Sequence, residues 1–263
     1  MRARRRTACH LLLLAGFASP VAAQTRPLIT EEASTAAGGT VVLEAGLDAI
    51  RREPNFLTGR ERDRWDGPVL RLVYSPADPV ELDLEWTARV GVRDDADFGN
   101  ASDWGDVALR AKVRLVDGGR GGATVAARFS VTLPETSFGN GLGPNTLRMS
   151  AQALVSKSWP ALTLHANAGL ALEDEPLRAH EQRDFLAYGV AVARAVGGAE
   201  AVAEIAGLAG RGKPGADARS ELRAGLRRRG GRWRWDAALR RGLAAADGTW
   251  GLTVGLRWFL RGG

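Results

Sequence analysis

The sequence predicts an all-β chain, a single antiparallel transmembrane β-barrel of about twelve strands. Three observations carry this reading: apolar and polar residues alternate with period two in segment after segment, the connections run alternately long and short, and no apolar run reaches the roughly 20 residues a helical span needs. The chain has 263 residues, 45% apolar and 25% charged, with 33 Gly and one Cys. That composition excludes a disordered chain, a disulfide scaffold and a collagen-like repeat.

The first residues read as an address. Arg2, Arg4, Arg5 and Arg6 precede the apolar run Leu11 to Ala18, and Val21, Ala22 and Ala23 follow as small residues before Gln24. This is the pattern of a secretory signal peptide over 1–23, cut after Ala23. Cys9 leaves with it, and removing the four arginines leaves 32 basic residues against 30 acidic ones, so the formal charge falls from +6 to +2. Bulk basicity then ceases to point to nucleic acid. Residues 24–38 are expected as a periplasmic N-terminal extension and 39–263 as the barrel, in the bacterial outer membrane.

Residues 80–92 alternate most clearly. Val80, Leu82, Leu84, Trp86, Ala88, Val90 and Val92 oppose Glu81, Asp83, Glu85, Thr87, Arg89 and Gly91, a two-faced strand. The pattern returns at 105–116, 123–133, 146–157, 161–172, 220–229, 232–242 and 250–259. Weaker copies lie at 40–50, 69–75, 185–196 and 199–209, where Ala and Gly blur both faces. Between strands the gaps alternate, from 51–68 and 76–79 to 93–104 and 117–122, then 134–145 and 158–160, and onward to 243–249. Outer-membrane barrels show this order of external loops and periplasmic turns. An even strand count leaves both chain ends in the periplasm, and about ten residues at roughly 3.3 Å each, tilted near 40°, span the roughly 25 Å apolar band. Trp159, Trp233, Trp235 and Trp258 fall near periplasmic ends and Trp104 and Trp250 near external ends, as two interfacial girdles require.

If the apolar face meets lipid, the polar face lines a lumen. Its acids are Glu44, Asp48, Glu81, Asp83, Glu85 and Asp106. Its bases are Arg110, Lys112, Arg114, Arg128, Arg148, Arg223, Arg227, Arg229, Arg234, Arg240 and Arg257, with His165 on the same face. Folding the hairpin about Phe98 sets Glu85 opposite Lys112 and Asp83 opposite Arg114, pairs worth roughly 0.2–1 kcal/mol each. Around Gly230-Gly231 the arginines Arg227, Arg229, Arg232 and Arg234 form a positive rim that favours anions.

Catalytic chemistry is sparse. His10 lies in the signal, His180 in a charged loop beside Glu173, Asp174, Glu175 and Glu181, and His165 on a strand within reach of Ser150 or Ser156. No nucleophile motif surrounds any Ser, and no metal cluster, phosphate loop or dinucleotide fingerprint appears. The expectation is therefore a non-enzyme with no catalytic residue, metal or cofactor. Its partners are outer-membrane lipid, the barrel-assembly machinery and a small organic solute, and nucleic acid is not among them. Its action lies in a passive pore. A rival reading assigns loops 51–68, 93–104 and 134–145 to a surface partner, and another makes His165 part of a lipid-modifying enzyme.

Five stretches carry a family resemblance: LRLVYSPADPVELDLEW at 70–86, GDVALRAKVRL at 105–115, RFSVTLPETSFGNGLG at 128–143, LVSKSWPALTLHANAGL at 154–170 and GLTVGLRWFL at 251–260. Together they resemble the MetA-pathway-of-phenol-degradation family of outer-membrane β-barrels, called after the meta-cleavage pathway. Gly105, Asp106, Lys112, Arg114, Leu133, Pro134, Ser156 and Lys157 match. Glu135 stands where that family more often has Thr, and four residues follow Phe259. The resemblance implies an outer-membrane location, transport, and passage of aromatic or other hydrophobic compounds, and it brings no catalytic residue with it.

Overall fold

A computed structural model describes residues 26–119, 121–178, 180–210, 218–228 and 230–262. The expected signal peptide, with Cys9 and His10, and Arg229 of the expected rim lie outside them. Where the chain alternates it forms strands: β1 (Val41–Pro54), β2 (Glu61–Ala77), β3 (Val80–Thr87), β4 (Val90–Arg93), β5 (Ala101–Asp103), β6 (Val107–Val116), β7 (Ala123–Leu133), β8 (Arg148–Ser158), β9 (Thr163–Asp174), β10 (Gln182–Val196), β11 (Ala199–Gly210), β12 (Arg219–Arg228), β13 (Trp233–Gly242) and β14 (Trp250–Arg261). Each pairs antiparallel with its neighbours, and β1 pairs with both β2 and β14, which closes the sheet. Because β3 and β4 both pair with β2, they are two halves of one stave, and β5 with β6 make another. The fourteen segments are thus a closed barrel of twelve staves.

The sides of this barrel are inverted relative to a water-soluble fold. Leu82, Leu84, Leu109, Phe129, Leu170, Val190, Leu222, Leu239 and Leu252 are exposed on the outside, whereas Glu44, Arg71, Glu81, Lys112, Glu204 and Arg257 are buried within. A continuous apolar exterior of this extent is not tolerated against water. It is the surface a barrel presents to hydrocarbon.

Four expectations need correction. First, the external loop 51–68 is mostly strand, because β1 runs to Pro54 and β2 starts at Glu61. Only Asn55 to Arg60 turn, closed by Gly59 N–H on Asn55 O at 2.7 Å and Leu57 N–H on the Asn55 side chain at 2.9 Å. Register shifts at Gly46/Asp48 and Ile50/Glu53 erase the alternation there. At 17 residues β2 projects roughly 40 Å along a tilted axis, well past an apolar band of about 25 Å.

Second, residues 80–92 are not one face throughout. Leu82, Leu84 and Trp86 point out, but the stave breaks at Ala88 and Arg89, opposite Gly67-Pro68 of β2, and Val90 and Val92 turn inward. They bury against Leu142, so these two valines belong to the mouth.

Third, the β3/β6 register differs from the expected one by four residues. Glu81 faces Lys112, Asp83 faces Arg110 and Glu85 faces Ala108. The hairpin turns before Phe98, because the Asp95 side chain accepts from Asp97 N–H (2.9 Å) and Phe98 N–H (3.0 Å) and pulls the tip toward β4.

Fourth, residues 26–38, expected to stand in the periplasm, run up the inside of the barrel. Gly38 and Gly39 are held at the periplasmic turn by Asp78 and by Ser75 O, both at 2.7 Å. Arg26 reaches the middle of β14, where its guanidinium meets Thr253 Oγ1 and Val254 O at 2.8 Å. Small residues on the wall or on the strap itself make room. Leu28 packs on Ala191, Ala193 and Val202, Ala33 on Ala126 and Leu154, and Ala36 on Val42, Val73 and Phe259.

An arginine replacing Val190, midway along β10 on the apolar exterior, is expected to cost about 2–4 kcal/mol when the barrel is folded into lipid vesicles. The same substitution at Ala161, exposed in the turn between β8 and β9, should change stability by less than about 0.5 kcal/mol. Urea unfolding followed by tryptophan fluorescence distinguishes the two.

Candidate functional site: the lumen and its plug

The inner wall is built of alternating charges on neighbouring staves, placed there by period two. Glu81 meets Lys112 at 2.9 Å, and Asp83 meets Arg110 at 3.1 Å and Arg71 at 2.8 Å. Glu85 meets Arg110 at 2.7 Å, and Glu44 meets Arg257 at 3.2 Å and Arg71 at 3.8 Å. Arg227 pairs with Glu200 at 2.6 Å, Arg240 with Glu221 at 2.5 Å, Arg148 with Asp106, and Arg223 with Glu221 and Glu204. Arg234 lies over the Phe259 ring, 4.4 Å from its centroid. Arg114 reaches Asp117 at 3.4 Å, at the rim of a turn. Arg71, Glu204 and Glu221 escaped the sequence reading. Their signal was present: Arg71 stands between Leu70 and Leu72, and Glu204 between Ala203 and Ile205.

With its apolar surface outside and this lattice within, the chain's place is decided. This is a bacterial outer-membrane β-barrel. The tryptophans lie near strand ends on the outer surface. Trp159, Trp233, Trp235, Trp104 and Trp250 are all exposed. Trp258 stacks on Trp233 at 4.7 Å and Trp104 on Trp86 at 5.5 Å. Trp65, lying across Gly91, joins the external set.

The plug's backbone is non-repetitive at membrane depth, where it needs partners from the wall. Glu204 supplies two: its carboxylate oxygens accept from Ile29 N–H and Thr30 N–H, each at 2.7 Å. Pro27 O accepts from Arg223 at 2.9 Å, and Ala36 N–H donates to Glu81 at 3.3 Å. Asn167 brackets Glu31: with its amide turned so that the oxygen faces the Glu31 N–H, it accepts from that N–H at 2.7 Å and donates to the Glu31 carbonyl at 3.0 Å. The Glu31 carboxylate itself sits between Arg128 (2.9 Å) and Arg71 (3.5 Å).

His165 and Ser156 are brought together across β8 and β9, with Ser156 Oγ 2.8 Å from His165 Nδ1. Because Ser156 Oγ accepts the Ala33 N–H at 2.8 Å, its hydroxyl is free to donate to the ring. Both side chains are buried beneath the plug. Among the described residues, no three metal-binding side chains cluster, at His180 or elsewhere.

At the outer mouth, loop 134–147 folds inward. Asp106 holds its start through Glu135 N–H (3.0 Å) and Thr136 N–H (3.1 Å), Arg62 donates to Asn140 O and Gly141 O, and Arg64 donates to Leu142 O at 3.2 Å. Arg62 also donates to Asp95 at 3.0 Å, as does Asn55 at 3.1 Å. Burial alone would raise the Asp95 pKa, but the backbone N–H groups of Phe98 and Asp97 and these two side-chain donors outweigh it and hold the carboxyl at about 2.

No family model and no curated protein matches the chain. Among solved structures, the translocator domain of the autotransporter NalP from Neisseria meningitidis superposes with a TM-score of 0.54 at 13% identity, over 84% of this chain and 88% of that one. The β domain of the Bordetella autotransporter Brka gives 0.48 at 12% identity (83% and 99%), and the CymD monoaromatic hydrocarbon channel 0.46 at 11% (84% and 88%). The likeness to the NalP domain is one of fold.

Two outcomes follow for this barrel. Glu204→Ala strips two buried N–H groups of their acceptor, at roughly 1–3 kcal/mol each. A cysteine placed at Ala33 should then react with a membrane-impermeant maleimide at least about tenfold faster than in the parent. Because the Asp95 pKa is depressed in the folded state, its stabilisation is complete above the ordinary carboxylate range and lost as pH falls through about 2. Protection of the residue 134–147 amides against hydrogen exchange, taken relative to the intrinsic exchange rate at each pH, should therefore stay high at pH 5 and fall as pH 2 is approached, and Asp95→Asn should weaken that dependence.

Proposed function

We propose that this barrel is a passive channel for small organic solutes, held shut by its own residues 26–38. The observation supporting this reading is a cavity of about 1160 Å³ in the outer half of the lumen, which opens toward the external mouth and is floored by the plug. A space of that size takes a small organic molecule with water to spare. A purely structural barrel needs no such space, and one could fill it with side chains.

The wall of the cavity refines the expectation of an anion-favouring lumen. It carries eleven arginines and eleven carboxylates, most of them paired, so its field nearly cancels. The positive rim expected around Gly230 lies at the other end, and there Arg227 is already matched by Glu200. A balanced wall sorts ions weakly through its net field and leaves selectivity to individual groups along it. The family resemblance of the strand motifs favours aromatic or other hydrophobic compounds as the cargo.

We assign Ser156 and His165 to holding the plug and propose no enzymatic role. The pair supports that assignment by its contacts, since the serine oxygen is spent on the Ala33 N–H and the dyad faces the segment, away from the open cavity. The surface-partner alternative loses its main support as well. Loop 134–145 packs into the mouth through Leu142, and most of 51–68 is strand.

In planar bilayers the full chain is expected to show small, infrequent currents with little preference between potassium and chloride. Deleting residues 26–38 should raise single-channel conductance several-fold. Absence of current from a deletion variant that keeps the heat-dependent gel shift of a folded barrel would overturn the channel.

A further inference from the structure

Arg128 is an arginine with one counter-ion. Among the described residues its only carboxylate within salt-bridge distance is Glu31, at 2.9 Å, and its buried Nε has no acceptor. Its strand neighbours across the sheet are Lys112, already matched by Glu81, and the neutral Gln152. Arg71, the second arm around Glu31, is bound to Asp83 at 2.8 Å and lends Glu31 a longer contact of 3.5 Å. If the plug withdraws, Arg71 keeps its carboxylate partners while Arg128 is left facing the vacated lumen with no counter-ion, and a cation against a low-dielectric wall attracts an anion. The vacated position therefore favours an anion.

From this we propose that Arg128 and Arg71 form a carboxylate-binding site for the transported solute, and that Glu31 is a resident stand-in for it, displaced when a solute carboxylate arrives. The proposal rests on the channel reading and names its cargo class: small organic monocarboxylates. Three further observations agree. The external cavity reaches down to Glu31, Arg71 and Arg128, so a solute has access without crossing the plug. Ile29, 44% exposed, stands on the cavity floor close to Glu31 and offers an apolar surface to the body of such a molecule. The cavity wall is charge-balanced with Glu31 included, so exchanging one monocarboxylate for another preserves neutrality, whereas a phosphate dianion would not.

A tethered carboxylate competes as if present at about millimolar concentration. Solute should thus open the plug in the millimolar range, and removing the stand-in should tighten solute binding. The test uses the full chain with cysteine at Ala33 as reporter, with benzoate as probe and benzamide as its neutral counterpart. Benzoate should raise maleimide labelling of the cysteine in a saturable way and benzamide should not. Glu31→Gln should label rapidly without any solute, and calorimetry in detergent should show it binding benzoate about tenfold or more tightly than the parent, because a charge-assisted contact no longer has to be broken. Glu31→Asp should restore parental behaviour, and Arg128→Gln should abolish the benzoate response. If Arg128→Gln does not fold, the Glu31→Gln comparison decides alone. Equal action of benzoate and benzamide, or unchanged benzoate affinity in Glu31→Gln, overturns the site even where currents are seen. Tighter benzoate binding in Glu31→Gln with no current under any condition leaves the site standing and removes the channel.

Discussion

A guanidinium enclosed in a protein has to find a carboxylate, and much of this molecule is arranged around that requirement. Arg71 links Glu44, Asp83 and Glu31. Through them it is joined to Arg257, Arg110 and Arg128, and so to β1, β2, β3, β6, β7, β14 and the segment inside the barrel. Within this network the strand members are fixed by sheet register, while Glu31 is held only by side chains and a few backbone contacts. The lattice therefore has one member that can be exchanged without unpairing a strand. Unpaired buried charge is costly enough that the lattice and its removable member have to be read as one object.

The exterior was legible because lipid imposes a simple rule. Phe129, Leu170 and Leu239 need only be apolar at alternate positions, and period two reports that directly. The interior was legible in kind but less so in detail. Glu81, Asp83, Lys112, Arg128 and Arg257 could be assigned to the inner face, yet their partners depended on a turn that Asp95 draws toward β4. An error in where a hairpin turns displaces every pair below it. Continuous alternation from Val80 to Val92 also concealed a change of side, because the break at Ala88 and Arg89 exchanges the faces while the residues stay apolar.

The plug was invisible for a different reason, although it left a trace. Residues 26–38 have no periodicity, since an irregular strap bonded to side chains needs none. Its imprint lies in the strands it touches. Ala191, Ala193 and Val202 receive Leu28, and Gly189 comes so close to Thr30 that an added Cβ would lie 2.5 Å from its hydroxyl oxygen. These are the stretches, 185–196 and 199–209, whose alternation was blurred. Small residues on the inner face of a barrel strand mark where the lumen is occupied by something other than water.

Gly46 and Gly255 extend the same principle to the line along which the sheet meets itself. They face one another on β1 and β14, and a Cβ on either would fall within about 2.5 Å of the Arg26 guanidinium. The first and last staves join only when the cylinder is completed, so the notch that receives Arg26 does not exist beforehand. Threading of the leading strap and sealing of the wall thus become one event in the birth of the molecule: a chain that closed with its strap outside would have built a berth with no occupant and left Asp236, which pairs with Arg26 at 3.6 Å, facing an empty notch.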